Sequence, residues 1–473
     1  MRWLDEVPAV SRYIWIALFA LGTSALLRCA SDNVGYGPRH GPQVTIHIKY
    51  RLGAMHTANA RPLFSRLHSR AAAFDDPRDR WFFVDVPASN VARTLARLNA
   101  DPGVEQAFER PLVSLPQQAA DASCPIKTPS FESYQGYLGA APHGIDAPAA
   151  WRRGVRGQGV WFADIEGGWN AKHEDLPGDR MKHVAGTPMD NPYWRAHGTA
   201  VLGEVVGVDN GKGVVGIAPD VERVFTASIN GISVADAIDS AAESMRPGDV
   251  LLIELQGAGP RGGYVPVEYW DDIFDAIQAA TRRGVVVIEA AGNGYEDLDH
   301  KAYRRKFDRK KRDSGAIMVG AGGPARDGFA DRARLDFSNY GSRVDVQGWG
   351  RKVATLDYGD LQNCATDEST YVDRHYTDEF SGTSSASPIV AGAAVLLQSY
   401  AKQQGTLLSP AQVRDILART GTPQTGDTRQ HIGPRPDLSR ALRLITSVQD
   451  MLDAGDPILI AQPDDTLNIA PMR

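Results

Sequence analysis

Val44, Ile46 and Ile48 alternate with Thr45, His47 and Lys49, the period-two pattern of a strand with one buried face. Trp81 to Val86 is a second strand-like run. Pro87 and Ser89 then introduce an amphipathic helix with Val91, Leu95 and Leu98 on one face, stopped by Asp101-Pro102-Gly103. A last strand is expected from Val104 to Phe108. Residues 43–115 therefore predict a small α+β domain, and the polar stretch from Gln117 to Thr128 predicts a linker over 116–130.

From about Gly136 the pattern changes. Val160 to Ala163, Val250 to Leu255 and Val285 to Ile288 are continuous apolar strands. Between them lie helical stretches. One follows Ser233, a good N-cap, and carries Val234, Ile238 and Ala241; another carries Ile273, Phe274 and Ile277 and ends at Gly284. Apolar strands separated by amphipathic helices predict an α/β fold over 131–447, with a mostly parallel central sheet covered by helices on both faces. Such sheets place their sites at the carboxyl ends of the strands.

The chain ends carry different signals. Tyr13 to Leu27 is an apolar run preceded by Arg2 and Arg12. It is short of the roughly 20 residues of a membrane span, so residues 1–29 read as a signal peptide, with a retained signal anchor as the alternative. The tail, 448–473, has Asp and Pro clusters and one short apolar run, Ile458 to Ala461, and its pattern assigns it no role.

Composition narrows the classes. With 42% hydrophobic and 23% charged residues among 473, a large buried core is expected. A net charge of -6 argues against a nucleic-acid partner; the basic run Lys301 to Arg312, interrupted by Asp308, reads as a solvated loop. Of three cysteines, Cys29 sits at the end of the apolar run, which leaves Cys124 and Cys364 as one disulfide if the protein is exported. No cysteine or histidine spacing suits zinc.

Four stretches carry candidate chemistry. Phe380-Ser381-Gly382-Thr383-Ser384-Ser385-Ala386-Ser387-Pro388 leads into a small-residue apolar helix. A serine at its start has a free backbone N–H at the positive end of the helix dipole, which suits a nucleophile whose attack creates an oxyanion; an ordinary helix N-cap explains it as well. Pro388 is expected in the first turn, where it is tolerated. His197-Gly198-Thr199 opens a second small-residue helix. Asp164 ends the apolar strand Val160 to Ala163, and Asn293 lies between Gly292 and Gly294 at the end of another. Taken singly, a buried structural histidine, a turn aspartate and a turn asparagine account for these three.

Together, in this order, the four stretches resemble the subtilisin-like serine protease (subtilase) family. The resemblance covers about residues 131–447 and extends to Gly213-Val214-Val215-Gly216-Ile217-Ala218-Pro219 and Phe337-Ser338-Asn339-Tyr340-Gly341. It implies a serine endopeptidase with Asp164, His197 and Ser384 as catalytic triad and Asn293 in the oxyanion hole. Leu255, Gln256, Gly257, Ala291 and Gly292 are implied as substrate-binding. By the same resemblance residues 43–115 are a propeptide that assists folding and inhibits until self-processing, and the product is secreted or placed in the cell envelope. Partners are protein or peptide substrates and the chain's own propeptide, with no stable membrane partner unless the N-terminal segment is retained. No cofactor is required and no catalytic metal is expected. The acidic insertion Asp357 to Asp378 reads first as a surface loop and second as the place for a structural calcium.

Two departures stand out. The family shows Asp-Thr-Gly or Asp-Ser-Gly after the strand, whereas this chain has Asp164-Ile165-Glu166-Gly167-Gly168, so Glu166 competes for the aspartate's role. Leu252-Ile253-Glu254-Leu255-Gln256-Gly257 replaces the family's Ser-Leu-Gly-Gly at the specificity pocket. A catalytically silent subtilase fold acting as a binding protein is the alternative function. An ester hydrolase is disfavoured, because Thr383-Ser384-Ser385-Ala386 is no Gly-x-Ser-x-Gly elbow.

Overall fold

A computed structural model describes residues 43–51, 61–62, 80–110, 127–364, 371–453 and 470–471. The signal segment, most of the linker and most of the C-terminal tail lie outside these residues, as does Cys124; Cys364 is disulfide-bonded.

The N-terminal unit has four antiparallel strands, β1 (Gln43–Tyr50), β2 (Arg61–Pro62), β3 (Trp81–Pro87) and β4 (Val104–Glu109), in the order β2-β3-β1-β4, with helix α1 (Val91–Asn99). The alternation sorts side chains onto two faces, but both are buried rather than one. Ile46, Ile48, Tyr50 and Phe82 pack with Leu98 of α1. His47, Lys49 and Trp81 leave by the opposite face, where they meet the large domain.

That domain is built on seven parallel strands: β5 (Trp161–Glu166), β6 (Met181–Ala185), β7 (Arg223–Ser228), β8 (Val250–Ile253), β11 (Val286–Ala290), β12 (Ile317–Gly322) and β13 (Val346–Trp349). Their order is β13-β12-β11-β8-β5-β7-β6. A short hairpin, β9 (Gln256–Ala258) and β10 (Tyr264–Pro266), follows β8, and β14 (Val353–Leu356) pairs with β15 (Tyr376–Phe380). Phe162, Val250, Leu252, Val286 and Ile288 point to the side covered by α2 (Pro192–Val206) and α5 (Thr383–Gln403). Ala163, Ile165, Leu251, Ile253 and Val287 point to α3 (Val234–Glu243) and α4 (Asp271–Arg282). Helices α6 (Pro410–Thr420) and α7 (Leu438–Asp453) complete the first side. This is the mostly parallel, doubly covered sheet the apolar runs predict. No helix among the described residues is long and apolar enough to cross a membrane.

The N-terminal sheet rests on α4 and on the loop after β7. His47 Nδ1 lies 2.6 Å from Asp272 Oδ2, and Lys49 Nζ and Trp81 Nε1 donate to Asp275 Oδ2 at 2.7 and 3.0 Å. Arg110 donates to the Ile232 carbonyl at 2.6 Å. Trp81 is 1% exposed and shares the apolar cluster of α3 and α4. The two units are thus joined by buried charge as well as apolar surface.

Three local readings change. His197 does not open its helix: α2 begins five residues earlier, where Asn191 caps Tyr193 and Trp194 N–H groups. Pro388 lies in the second turn of α5 rather than the first, so the Ser384 carbonyl has no i+4 donor. The strand read as ending before Asp164 continues to Glu166.

Glu204, on α2, is fully buried, and neither carboxyl oxygen has a hydrogen-bond partner. Burial raises its pKa well above 4.5. Unfolded, it ionises near that value, so above pH 4.5 folding must take up a proton; the neutral acid's contribution is present below 4.5 and is lost as pH rises toward the folded value. In a Ser384→Ala background, Glu204→Met should therefore stabilise the protein more at pH 8 than at pH 4. The gain should grow by about 1.4 kcal/mol per pH unit across the window. Urea titrations at both pH values would show it, and a pH-independent effect would contradict it.

Candidate active site

Asp164 and Glu166 are two apart on β5, so both side chains point to the α2/α5 side of the sheet. The strand's two extra residues decide which carboxylate reaches the histidine. Glu166 Oε1 lies 2.5 Å from His197 Nδ1, and both side chains are 0% exposed. Asp164 sits one strand step deeper. Its Oδ2 accepts the Trp169 indole N–H at 2.7 Å, and its Oδ1, also buried, has no partner. The expectation that Asp164 holds the histidine is thus corrected in geometry: Glu166 occupies that position. Its own Oε2 accepts the Gly167 N–H at 3.2 Å.

Electrostatics around the pair are those of a dry, acid-rich pocket. Burial pushes His197 down to about 4, against the opposing pull of Asp164. Burial raises Glu166, with the Gly167 N–H working against it. Asp164 is raised by burial and by Glu166, with the Trp169 bond and His197 opposing. Burial thus favours the neutral imidazole. Its buried Nε2 has no hydrogen-bond partner, and the Phe380 ring packs edge-on against it at 5.5 Å.

Phe380 ends β15 and leads directly to Ser384, the second residue of α5. Gly382 turns the corner with φ 107°, a conformation L side chains rarely adopt. A Cβ there would lie 3.2 Å from Asn293 Nδ2 and 3.5 Å from the Ser384 backbone nitrogen. Both donors thus border one small space that only glycine leaves open. Asn293 is aimed by its other end: Oδ1 accepts the Thr383 N–H at 2.8 Å and its hydroxyl at 3.0 Å. The arrangement offers two N–H groups to an anion beside a serine.

The residues around Asn293 fall where the motifs put them, with altered duties. The Gln256 side-chain Oε1 accepts the Asn293 backbone N–H at 2.7 Å, so this side chain is spent on holding the loop. Gly257 packs against Trp270, whose ring a Cβ would strike at 2.2 Å. Ala291 and Gly292 lie beside Asn293, while the Leu255 side chain joins the apolar core on the α3/α4 side. Two residues went unrecognised in the sequence. Asn339 ties the Asn293 loop together, donating to Ala291 and Tyr264 carbonyls at 2.7 and 2.8 Å and accepting from Gly294 and Glu296 N–H groups. Trp169 supplies Asp164's donor. Asn339 stood inside a matched segment, which was its signal; Trp169 had none. Among the described residues no three His, Cys, Asp or Glu side chains gather to hold a metal ion.

Comparison with known proteins identifies the family. Residues 157–434 match the model of the subtilase family. The chain is 30% identical over 286 residues to subtilisin BL of Lederbergia lenta, covering 59% of this chain and 89% of that protein. It is equally identical to an alkaline protease of Alkalihalobacillus alcalophilus, of which the alignment spans 63%. Among solved structures it resembles fervidolysin from Fervidobacterium pennivorans, with TM-score 0.55, 19% identity and coverage of 86% of this chain and 62% of that one. It also resembles an epidermin leader peptide processing serine protease from Staphylococcus aureus, with TM-score 0.56, 17% identity and coverage of 85% and 98%. These two likenesses speak for the fold.

Trp169→Phe should leave Asp164 without a hydrogen bond in a buried site and cost about 1–3 kcal/mol of stability. Urea unfolding of the Ser384→Ala protein with and without the substitution tests this; an unchanged midpoint would mean the bond carries no weight.

Proposed function

The chain belongs to the subtilase family of serine proteases, and we propose that it is an endopeptidase in which Ser384 is the nucleophile, His197 the general base and Glu166 the carboxylate that orients the histidine. The observation that carries this reading is the 2.5 Å contact between Glu166 and His197, which leaves Nε2 of a neutral imidazole free. Ser384 attacks the scissile carbonyl while His197 Nε2 takes its proton and later delivers it to the leaving amine. Glu166 fixes the tautomer with the proton on Nδ1 and stabilises the imidazolium. The Asn293 amide and the Ser384 backbone N–H stabilise the oxyanion. No cofactor enters these steps.

The N-terminal unit acts on this reading as an intramolecular inhibitor and folding aid, released by cleavage between about Leu115 and Ser133. Its buried polar contacts with Asp272 and Asp275 support the role, because they seat the unit against α4 of the large domain. Secretion or placement in the cell envelope fits the leader-like 1–29 segment and the subtilisin relatives.

Two expectations follow. The chain lacking residues 1–29 should label with a fluorophosphonate probe and shorten by roughly the mass of its N-terminal unit, whereas Ser384→Ala should do neither; identical behaviour would favour a silent binding protein. Asn293→Ala should lower kcat by the roughly 10²–10³ that loss of one oxyanion donor costs in a subtilisin, with KM little changed. Steady-state kinetics on a peptide substrate measure it, and an unaltered kcat would remove Asn293 from the mechanism.

A further inference from the structure

Glu254 lies just beyond β8, in line with Glu166 on the neighbouring strand, since Ile253 pairs with Ile165. It is 1% exposed. Its Oε1 is 2.6 Å from the hydroxyl of Ser387, one helical turn below Ser384 in α5. The same hydroxyl lies 2.7 Å from the Thr383 carbonyl. A serine hydroxyl has one proton, and a carbonyl and an ionised carboxylate both only accept. Two contacts this short are satisfied together when the carboxyl brings a proton of its own: Glu254 donates to Ser387, and Ser387 donates to Thr383.

The surroundings point the same way. Glu254 Oε2 is buried without a partner. The titratable groups that face it are acids: Asp164 and Glu166 from β5 and Glu204 from α2. The histidine of α2 is engaged with Glu166, and α5 contributes only Ser387. Among the described residues no lysine or arginine forms an ion pair with any of the four carboxyls. An anion at Glu254 would thus be desolvated, unpaired and beside Glu166.

We propose that Glu254 is a positioning residue that works as a neutral acid, its proton tying the first turn of the nucleophile helix to the end of β8 while Glu166 alone carries the charge that faces His197. The kinetic part of this rests on the endopeptidase reading above; the protonation state does not. Burial raises Glu254, the Ser387 contact opposes it, and the neighbouring acids add to the rise, so the net direction is upward.

The test uses the full chain. Infrared difference spectra of Ser384→Ala against Ser384→Ala with Glu254→Gln, at pH 8, need no activity. They should show loss of a protonated carboxyl stretch; loss of an ionised carboxylate band overturns the proposal. In the active enzyme, Glu254→Ala should lower kcat by about tenfold, the worth of one net hydrogen bond, with KM nearly fixed. Glu254→Gln, whose amide also donates to Ser387, should restore kcat and keep the acidic limb of kcat/KM where it was. If Glu254 were instead a second charge on the histidine, Glu254→Gln would lower kcat and move that limb to lower pH, and the proposal would be wrong. An enzyme that never labels with the fluorophosphonate probe yet shows the infrared band would fail the endopeptidase reading and keep the protonation state.

Discussion

The contact between Glu166 and His197 is the constraint around which the site is arranged. Both side chains are fully buried, and no lysine or arginine pairs with either among the described residues. A buried imidazole and carboxyl tolerate that setting because each replaces part of the hydrogen bonding the other loses on leaving water. Everything nearby then has to avoid adding charge. Asp164, Glu204 and Glu254 share the same side of the sheet, and burial raises all three. Burial raises Glu166 as well, and of the four carboxyls it alone contacts the imidazole.

Much of this was legible in the sequence, and the misses have physical causes. Continuous apolar strands, the Ser233 cap and the small-residue helix after Ser384 all signal local preferences that tertiary packing does not overturn. The carboxylate that meets His197 is different. Asp164 and Glu166 share a strand face, so period-two reasoning treats them alike, and the answer lies in where β5 stops. Polar residues at a buried strand end read as the end of the strand, yet here the strand runs on because its neighbours β7 and β8 still pair with it. His197 was misplaced within its helix for a related reason: Tyr193 and Trp194 do not look like an amphipathic first turn, and the Asn191 cap that starts it was not read as one.

The site's precision comes from side chains whose partners are far away in sequence, which no local pattern reveals. Asn293 is held from three directions, by Gln256, Thr383 and the Asn339-stapled loop. Gln256 and Glu254, which depart from the family pattern, are both turned inward to neighbours of the reacting groups. Gln256 holds the Asn293 backbone N–H, and Glu254 meets Ser387 in the nucleophile-candidate helix.

Glu166, and not Asp164, holds His197. Steady-state kinetics of Glu166→Gln and Asp164→Asn, each purified beside wild type, test it most directly. The structure predicts that Glu166→Gln loses roughly 10⁴ in kcat, the cost of a wrong histidine tautomer, while Asp164→Asn stays within about tenfold. A collapse of Asp164→Asn with Glu166→Gln still active would contradict the account and return the aspartate to the triad.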